Sequence, residues 1–184
     1  MKQKHNKSKK KSPALWLITI LLLAMTLSLA FSILSELILQ DAVVIVAVFV
    51  ILIFIAISIL FDMLGLAVAS SNIEHFTAMA ARKVKGAKQA MAMVKNADRV
   101  SSICNDVIGD VCGILAGAAG ASILAKIALT SGSFMEILVP SIVSALIAGL
   151  TIFGKAALKR YAIKHANEIT FKFAKLINVF TRKG

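Results

Sequence analysis

Asp106 and Asp110 stand four residues apart in Val100 to Lys126, VSSICNDVIGDVCGILAGAAGASILAK, a stretch long and apolar enough to cross a bilayer. The i, i+4 spacing puts both carboxylates on one face of a helix, with the Asn105 amide beside them. A carboxylate in hydrocarbon costs at least about 2.5 to 3.5 kcal/mol on insertion scales, so a nearby group must offset the cost. Asp62, near the end of the preceding apolar run, adds a third acid, and Lys155, at the end of the last one, adds an ammonium. The four formal charges sum to minus two, which one divalent cation would neutralise. Carboxylates, the Asn105 amide, the hydroxyls of Ser70, Ser101 or Ser102 and backbone carbonyls make an oxygen-only donor set that suits a hard ion such as Mg²⁺. In the alternative, Lys155 pairs with one aspartate while the others are protonated or reach headgroup water.

Other chemistries find no support. Cys104 and Cys112 lie two helical turns apart, too far to pair with each other, and read as buried small residues. His5, His75 and His165 fall in basic segments with no nucleophile or soft-metal spacing beside them, so neither an enzyme nor a zinc site is expected.

The elements that must position these groups are read from the apolar runs. The chain is 59% hydrophobic, against about 45 to 50% for soluble domains, which makes it an integral membrane protein. Residues 1–12 form a lysine run expected to be disordered. An additional span with its outer loop occupies 13–42, and the remaining membrane domain is 43–177, followed by a basic tail at 178–184. The first span could be read as a signal peptide, but its apolar run continues past the weak cleavage candidate at Leu29 to Ser32, favouring an uncleaved helix with Trp16 at its inner boundary. Val43 to Ser70 is the second span. Asp62 and Gly65 mark its end as a place for a break or close packing.

Ser71 to Arg99 is polar and basic, with Ser71 and Glu74 spaced as a capping box. Phe76, Met79 and Val84, then Met91, Met93 and Val94 after Gly86, suggest two short amphipathic helices on the membrane surface; a solvated hairpin with its own small core is the other reading. Asn96 and Asp98 offer an N-cap for the third span, which ends near Lys126, a side chain able to snorkel to headgroups. Ile137 to Phe153 is the last span, with Pro140 in its first turn. Ser141, Ala145 and Gly149 recur every four residues, as do Gly109, Gly113 and Gly117, so these two helices are expected to pack together or one to form the seam of a homodimer. From Gly154 onward a cationic amphipathic helix, with Leu158, Tyr161, Ile169, Phe173 and Ile177 on its apolar side, is expected on an anionic lipid leaflet.

Orientation follows from charge. Residues 1–13, 72–99 and 154–184 hold six, six and eight basic residues, 20 of the 21 in the chain. The net charge of +12 therefore flanks the spans, which points to topology and lipid, with no nucleic acid expected. Four spans with both termini cytoplasmic, in a bacterial plasma membrane, satisfy this bias. Asp62, Asp106, Asp110 and Lys155 then fall in the cytoplasmic half of the membrane.

The order of apolar helix, surface hairpin ending in Asn96-Ala97-Asp98-Arg99, small-residue helix, short turn and helix ending in Phe153-Gly154-Lys155-Ala156-Ala157-Leu158-Lys159 resembles the transmembrane domain of the CNNM/CorC magnesium transporters. The resemblance covers roughly 43–177 and rests on the order of the motifs. It implies an ion pocket between the last three helices, here with Asp62, Asp106, Asp110, Asn105 and Ser70 as candidate Mg²⁺ ligands. The family's Gly-Glu-x-x-Pro-Lys motif has Lys155 at its Glu and Leu158 at its Pro. Its Gly-Asn has no clean counterpart beyond nearby Asn105-Asp106, and the acid of its first domain helix is matched by Leu66. The sequence also ends before any cytosolic nucleotide-binding (CBS) pair. Two functions follow as expectations: divalent-cation transport or binding through the aspartates, or a non-transporting membrane adaptor whose ion site Lys155 occupies and whose basic segments engage lipid or a protein partner.

Overall fold

The computed structural model describes residues 13–39, 44–128 and 133–181, and all the regular structure among them is helical. The lysine run at 1–12, the outer loop around Asp41, the turn at 129–132 and the last three residues lie outside the described residues, as do the side chains of Lys126 and Phe180. Four helices are long and apolar enough to cross a membrane, and the chain is an all-α integral membrane protein.

Helix α1 (Pro13–Leu39) lies along the third span and leaves nearly its whole apolar surface open, as expected of a helix whose solvent is lipid. Two contacts anchor it: the Arg99 guanidinium lies 4.8 Å from the Trp16 ring centroid, and Phe31 meets Phe54 edge to face at 6.4 Å. Helix α2 (Val44–Ala69) is the hub. Its Ala47, Ile51 and Ile55 pack with Ala116 and Ala119 of the third span in a buried cluster. The β-branched run that would weaken a soluble helix is stable here because lipid offers the backbone no alternative partner.

The third span is not one α-helix. It starts as α5 (Ala97–Ser102), widens into a π-helical segment (Ile103–Gly109) and resumes as α6 (Asp110–Ala128). The final span, α7 (Ser133–Lys164), begins earlier and ends later than the apolar pattern suggests. Pro140 therefore sits inside the helix, about two turns from its start, where a membrane helix tolerates the missing amide. The C-terminal extension carries Lys155, Lys159, Arg160 and Lys164, polar residues that continue the helix because helix formers fill it.

The cationic helix expected from Gly154 onward is thus two pieces. Leu158 and Tyr161 belong to α7, and after a step at His165 the chain enters α8 (Ala166–Thr181). Buried residues on α8 are Ala166, Thr170 and Ala174, spaced by four, which lets its backbone come close to the end of α2. Helices α3 (Ile73–Ala81) and α4 (Ala87–Lys95) form the hairpin. Most of its apolar residues turn inward: Phe76, Ala90 and Met93 join Val68 of α2 and Ala174 of α8 in a second core, with Met79, Met91 and Val94 at its edge, while Val84 stays exposed. The reason is complementarity, since α8 presents an apolar stripe that covers the hairpin.

Capping also differs from the Ser71 and Glu74 box. Asn72 caps α3, its side chain accepting from the Glu74 amide at 2.9 Å, while the Ser71 hydroxyl donates to the Ala67 carbonyl and pairs with Thr170 Oγ1 at 2.9 Å. Asn96 holds the N-cap position of α5 without a side-chain cap, because its amide donates to the Ala92 carbonyl.

Candidate functional site

The site is built where α2, the π segment and α7 meet. The Lys155 ammonium donates to Asp110 Oδ1 at 2.9 Å and lies 3.7 Å from Asp62 Oδ1, so one cation bridges acids from two other spans. The Lys155 and Asp62 side chains are 22% and 28% exposed, Asp110 60%. Asp62 is seven residues from the end of α2, about 10 Å along the axis, so the bridge sits within the spanning region.

The π segment sets this geometry. A π-helical turn takes up an extra residue and rotates everything after it relative to an α-helix. Asp110, immediately after it, is turned toward Lys155, whereas Asp106, within it, is exposed and makes no ion pair with a described residue. The two acids still share a groove of about 810 Å³ between α1 and α6, walled by Met25, Leu29 and Ile114. Asp110 also borders a second cavity of about 390 Å³ between α6 and α7, with Thr151 and Lys155. Among the described residues no three His, Cys, Asp or Glu side chains converge closely enough to hold a metal by themselves.

One feature of the site, Ser58, was not singled out from the sequence, whereas Gly65 was expected as a place of close packing and is one. Ser58, the lone hydroxyl in the run VVIVAVFVILIFIAISILF, is fully buried and donates to the Gly109 carbonyl at 2.6 Å, fixing the end of the π segment to α2. Gly65 gives room to Asn105, whose Oδ1 would collide with any Cβ there. That oxygen is buried and has no hydrogen-bond partner among the described residues. It lies one turn beyond Asp62, and an amide oxygen is among the donor types a hard cation accepts.

Other candidates fall elsewhere. Ser70 is eight residues past Asp62, about 12 Å along the helix, and lines a separate groove with Asn72 and Lys164. Ser101 donates to the Asp98 carbonyl at 3.3 Å. Cys104 and Cys112 are buried free thiols. Helices α6 and α7 pack together, as expected, but not along the two glycine faces. Gly109 and Gly113 approach Ser58 on α2, while a Cβ on Gly117 or Gly149 would meet nothing within 4 Å. Against α7 it is Gly120, opposite Ile147, that makes the close approach. Equal spacing of small residues identified two faces but not their partners, because α2 brings its own small residue, Ser58, to the seam.

Fold and site together define a polytopic helical membrane protein with an ionised bridge between three of its spans. The chain belongs to the CNNM family: the cyclin M transmembrane N-terminal domain matches residues 48–182, from α2 to the end of α8. This is a family of membrane proteins associated with Mg²⁺ transport. No curated protein and no solved structure gives a match.

Proposed function

We propose that the protein handles Mg²⁺ at the membrane through a site formed by Asp62, Asp110 and Asn105 Oδ1, with Asp106 in the adjoining groove. The observation that carries this reading is the Lys155 bridge to Asp110 and Asp62. A cation is what those two carboxylates require, and the Lys155 ammonium supplies one. Divalent ion and ammonium compete for the same oxygens, so Lys155 must move aside for Mg²⁺ to enter. That Asp110 borders both cavities supports giving it the step between them.

A second reading rests on a different observation. Lys155 with Asp62 and Asp110 sums to minus one, and Asp106 stands apart, so the bridged site holds less charge than a divalent ion neutralises. In that case the chain is a membrane adaptor locked by its own lysine. Reconstitution in vesicles carrying a Mg²⁺-sensitive dye separates the two. Mg²⁺ flux that Asp110→Asn abolishes supports transport. No flux from the native chain, with Mg²⁺-dependent stabilisation appearing only in Lys155→Glu, establishes the adaptor. Flux unchanged in both Asp62→Asn and Asp110→Asn removes these residues from any ion path.

A further inference from the structure

The turn between α3 and α4 carries a second charged site far from the spans in function and composition. A cavity of about 540 Å³ is lined by Lys83, Lys85 and Lys88, with Gln89 and Asn178 on its wall and no carboxylate among its lining residues. None of the three lysines makes an ion pair with a described residue. All three lysines are exposed, and clustered on one turn with no acid beside them they set up a local positive field that attracts an anion.

Two sequence segments build this cavity. Gly86, at φ +92°, brings the turn backbone against Lys175 of α8, where a Cβ would lie 3.3 Å from the Lys175 Cα. The Gln89 amide donates to Asn178 Oδ1 at 2.8 Å, which fastens α4 to α8 one turn further on. Lys83 is held at φ 55°, a left-handed conformation that a lysine rarely adopts. Helix α4 has no side-chain cap, and of its first amides those of Ala87 and Ala90 bond back to the turn. Its uncapped positive end therefore adds to the field of the lysines.

We infer that this cavity binds a phosphate monoester or pyrophosphate group, carrying at least two negative charges, from either a lipid headgroup or a soluble phosphate. Three lysines and free helix amides match the several oxygens and the double charge of such a group. A singly charged phosphodiester leaves two ammoniums uncompensated, so the site discriminates by charge density and not by membrane charge alone.

The test uses the full chain in detergent micelles, titrated separately with short-chain phosphatidic acid, short-chain phosphatidylglycerol and inorganic pyrophosphate. Phosphatidic acid or pyrophosphate is expected to bind at least about tenfold more tightly than phosphatidylglycerol. At roughly fivefold per lysine, Lys83→Gln/Lys85→Gln/Lys88→Gln should lose on the order of 100-fold, and Lys88→Gln alone roughly fivefold. Removing three exposed charges elsewhere, Lys159→Gln/Arg160→Gln/Lys172→Gln, should cost less than about threefold. Tight phosphatidic acid with weak pyrophosphate assigns the lipid source, and the reverse assigns a soluble phosphate. Equal affinity for all three probes, equal loss in the two triple variants, or no binding overturns the inference.

Discussion

The Ser58 hydroxyl donates to the Gly109 carbonyl at 2.6 Å, joining the middle of α2 to the last residue of the π segment. This bond stands at the point where the third span changes register, so the orientation of Asp110 depends on it. In the membrane such interhelical bonds average about 0.6 kcal/mol with a maximum near 1.7. Ser58→Ala should therefore lower stability by about 1 kcal/mol in a detergent melt. Gly109→Ala should cost more, about 1 to 3 kcal/mol, because its Cβ would sit 3.1 Å from the Cys104 carbonyl oxygen. Gly117→Ala, with nothing within 4 Å, should be neutral. Equal losses at the two glycines would contradict this assignment of the seam.

Lys155 is expected to couple more strongly to Asp110 than to Asp62, given contacts of 2.9 and 3.7 Å. With Asp110 60% exposed, a double-mutant cycle on Lys155→Gln and Asp110→Asn should give about 0.5 to 1 kcal/mol, discounted for screening. The cycle with Asp62→Asn should give less. If Mg²⁺ competes with the ammonium, Lys155→Gln should also raise the Mg²⁺-dependent shift in melting temperature, since an ion that binds only the folded chain stabilises it. A shift that is smaller in Lys155→Gln than in the native chain would show the lysine to be part of the Mg²⁺ site and not its competitor.

Asn105 and Gly65 give a test of whether the orphaned oxygen has a use. Gly65→Ala should destabilise by about 1 to 3 kcal/mol through the collision with Asn105 Oδ1, and Asn105→Ala should relieve it in the double variant. Asn105→Ala alone removes a buried unpartnered carbonyl and should leave the melting temperature unchanged or raised. If the oxygen binds Mg²⁺, that same variant should lose the ion's stabilising effect. Loss of basal stability with Mg²⁺ stabilisation intact would make Asn105 a packing residue.

The spans were legible because lipid imposes one simple rule, a run of apolar residues near 30 Å long, and α1 matches its expected start and end. Opposite charges at matching depth also indicated that Lys155 meets aspartates. Which aspartates it meets was not legible: a helical wheel with 3.6 residues per turn puts Asp106 and Asp110 together, and nothing in the composition of ICNDVIG announces the wider turn that separates them. The hairpin misled for a similar reason. Met and Phe stripes on α3 and α4 have the same pattern whether they face lipid or another helix, and only the Ala166, Thr170, Ala174 face of α8 decides between these. Ser58 was visible as one polar residue in an apolar run, a signal that marks an interhelical bond without naming its acceptor.

The hairpin and α8 should behave as one clamp on the end of α2. Ser71 Oγ pairs with Thr170 Oγ1 at 2.9 Å, Asn167 Oδ1 accepts from the Asn72 amide at 2.9 Å, and Phe76 is fully buried between Val68 and Ala174. Phe76→Ala removes the largest side chain of this core and should cost about 3 to 5 kcal/mol. Thr170→Val keeps the volume but removes the hydroxyl, leaving Ser71 to its bond with Ala67, and should cost about 1 kcal/mol. Because the core links α2, the hairpin and α8, Phe76→Ala should raise amide exchange in α4 and α8 together while α1 and the N-terminal half of α7 keep theirs. Exchange raised in α3 alone would mean that the hairpin rests on the membrane by itself and that α8 is an independent surface helix.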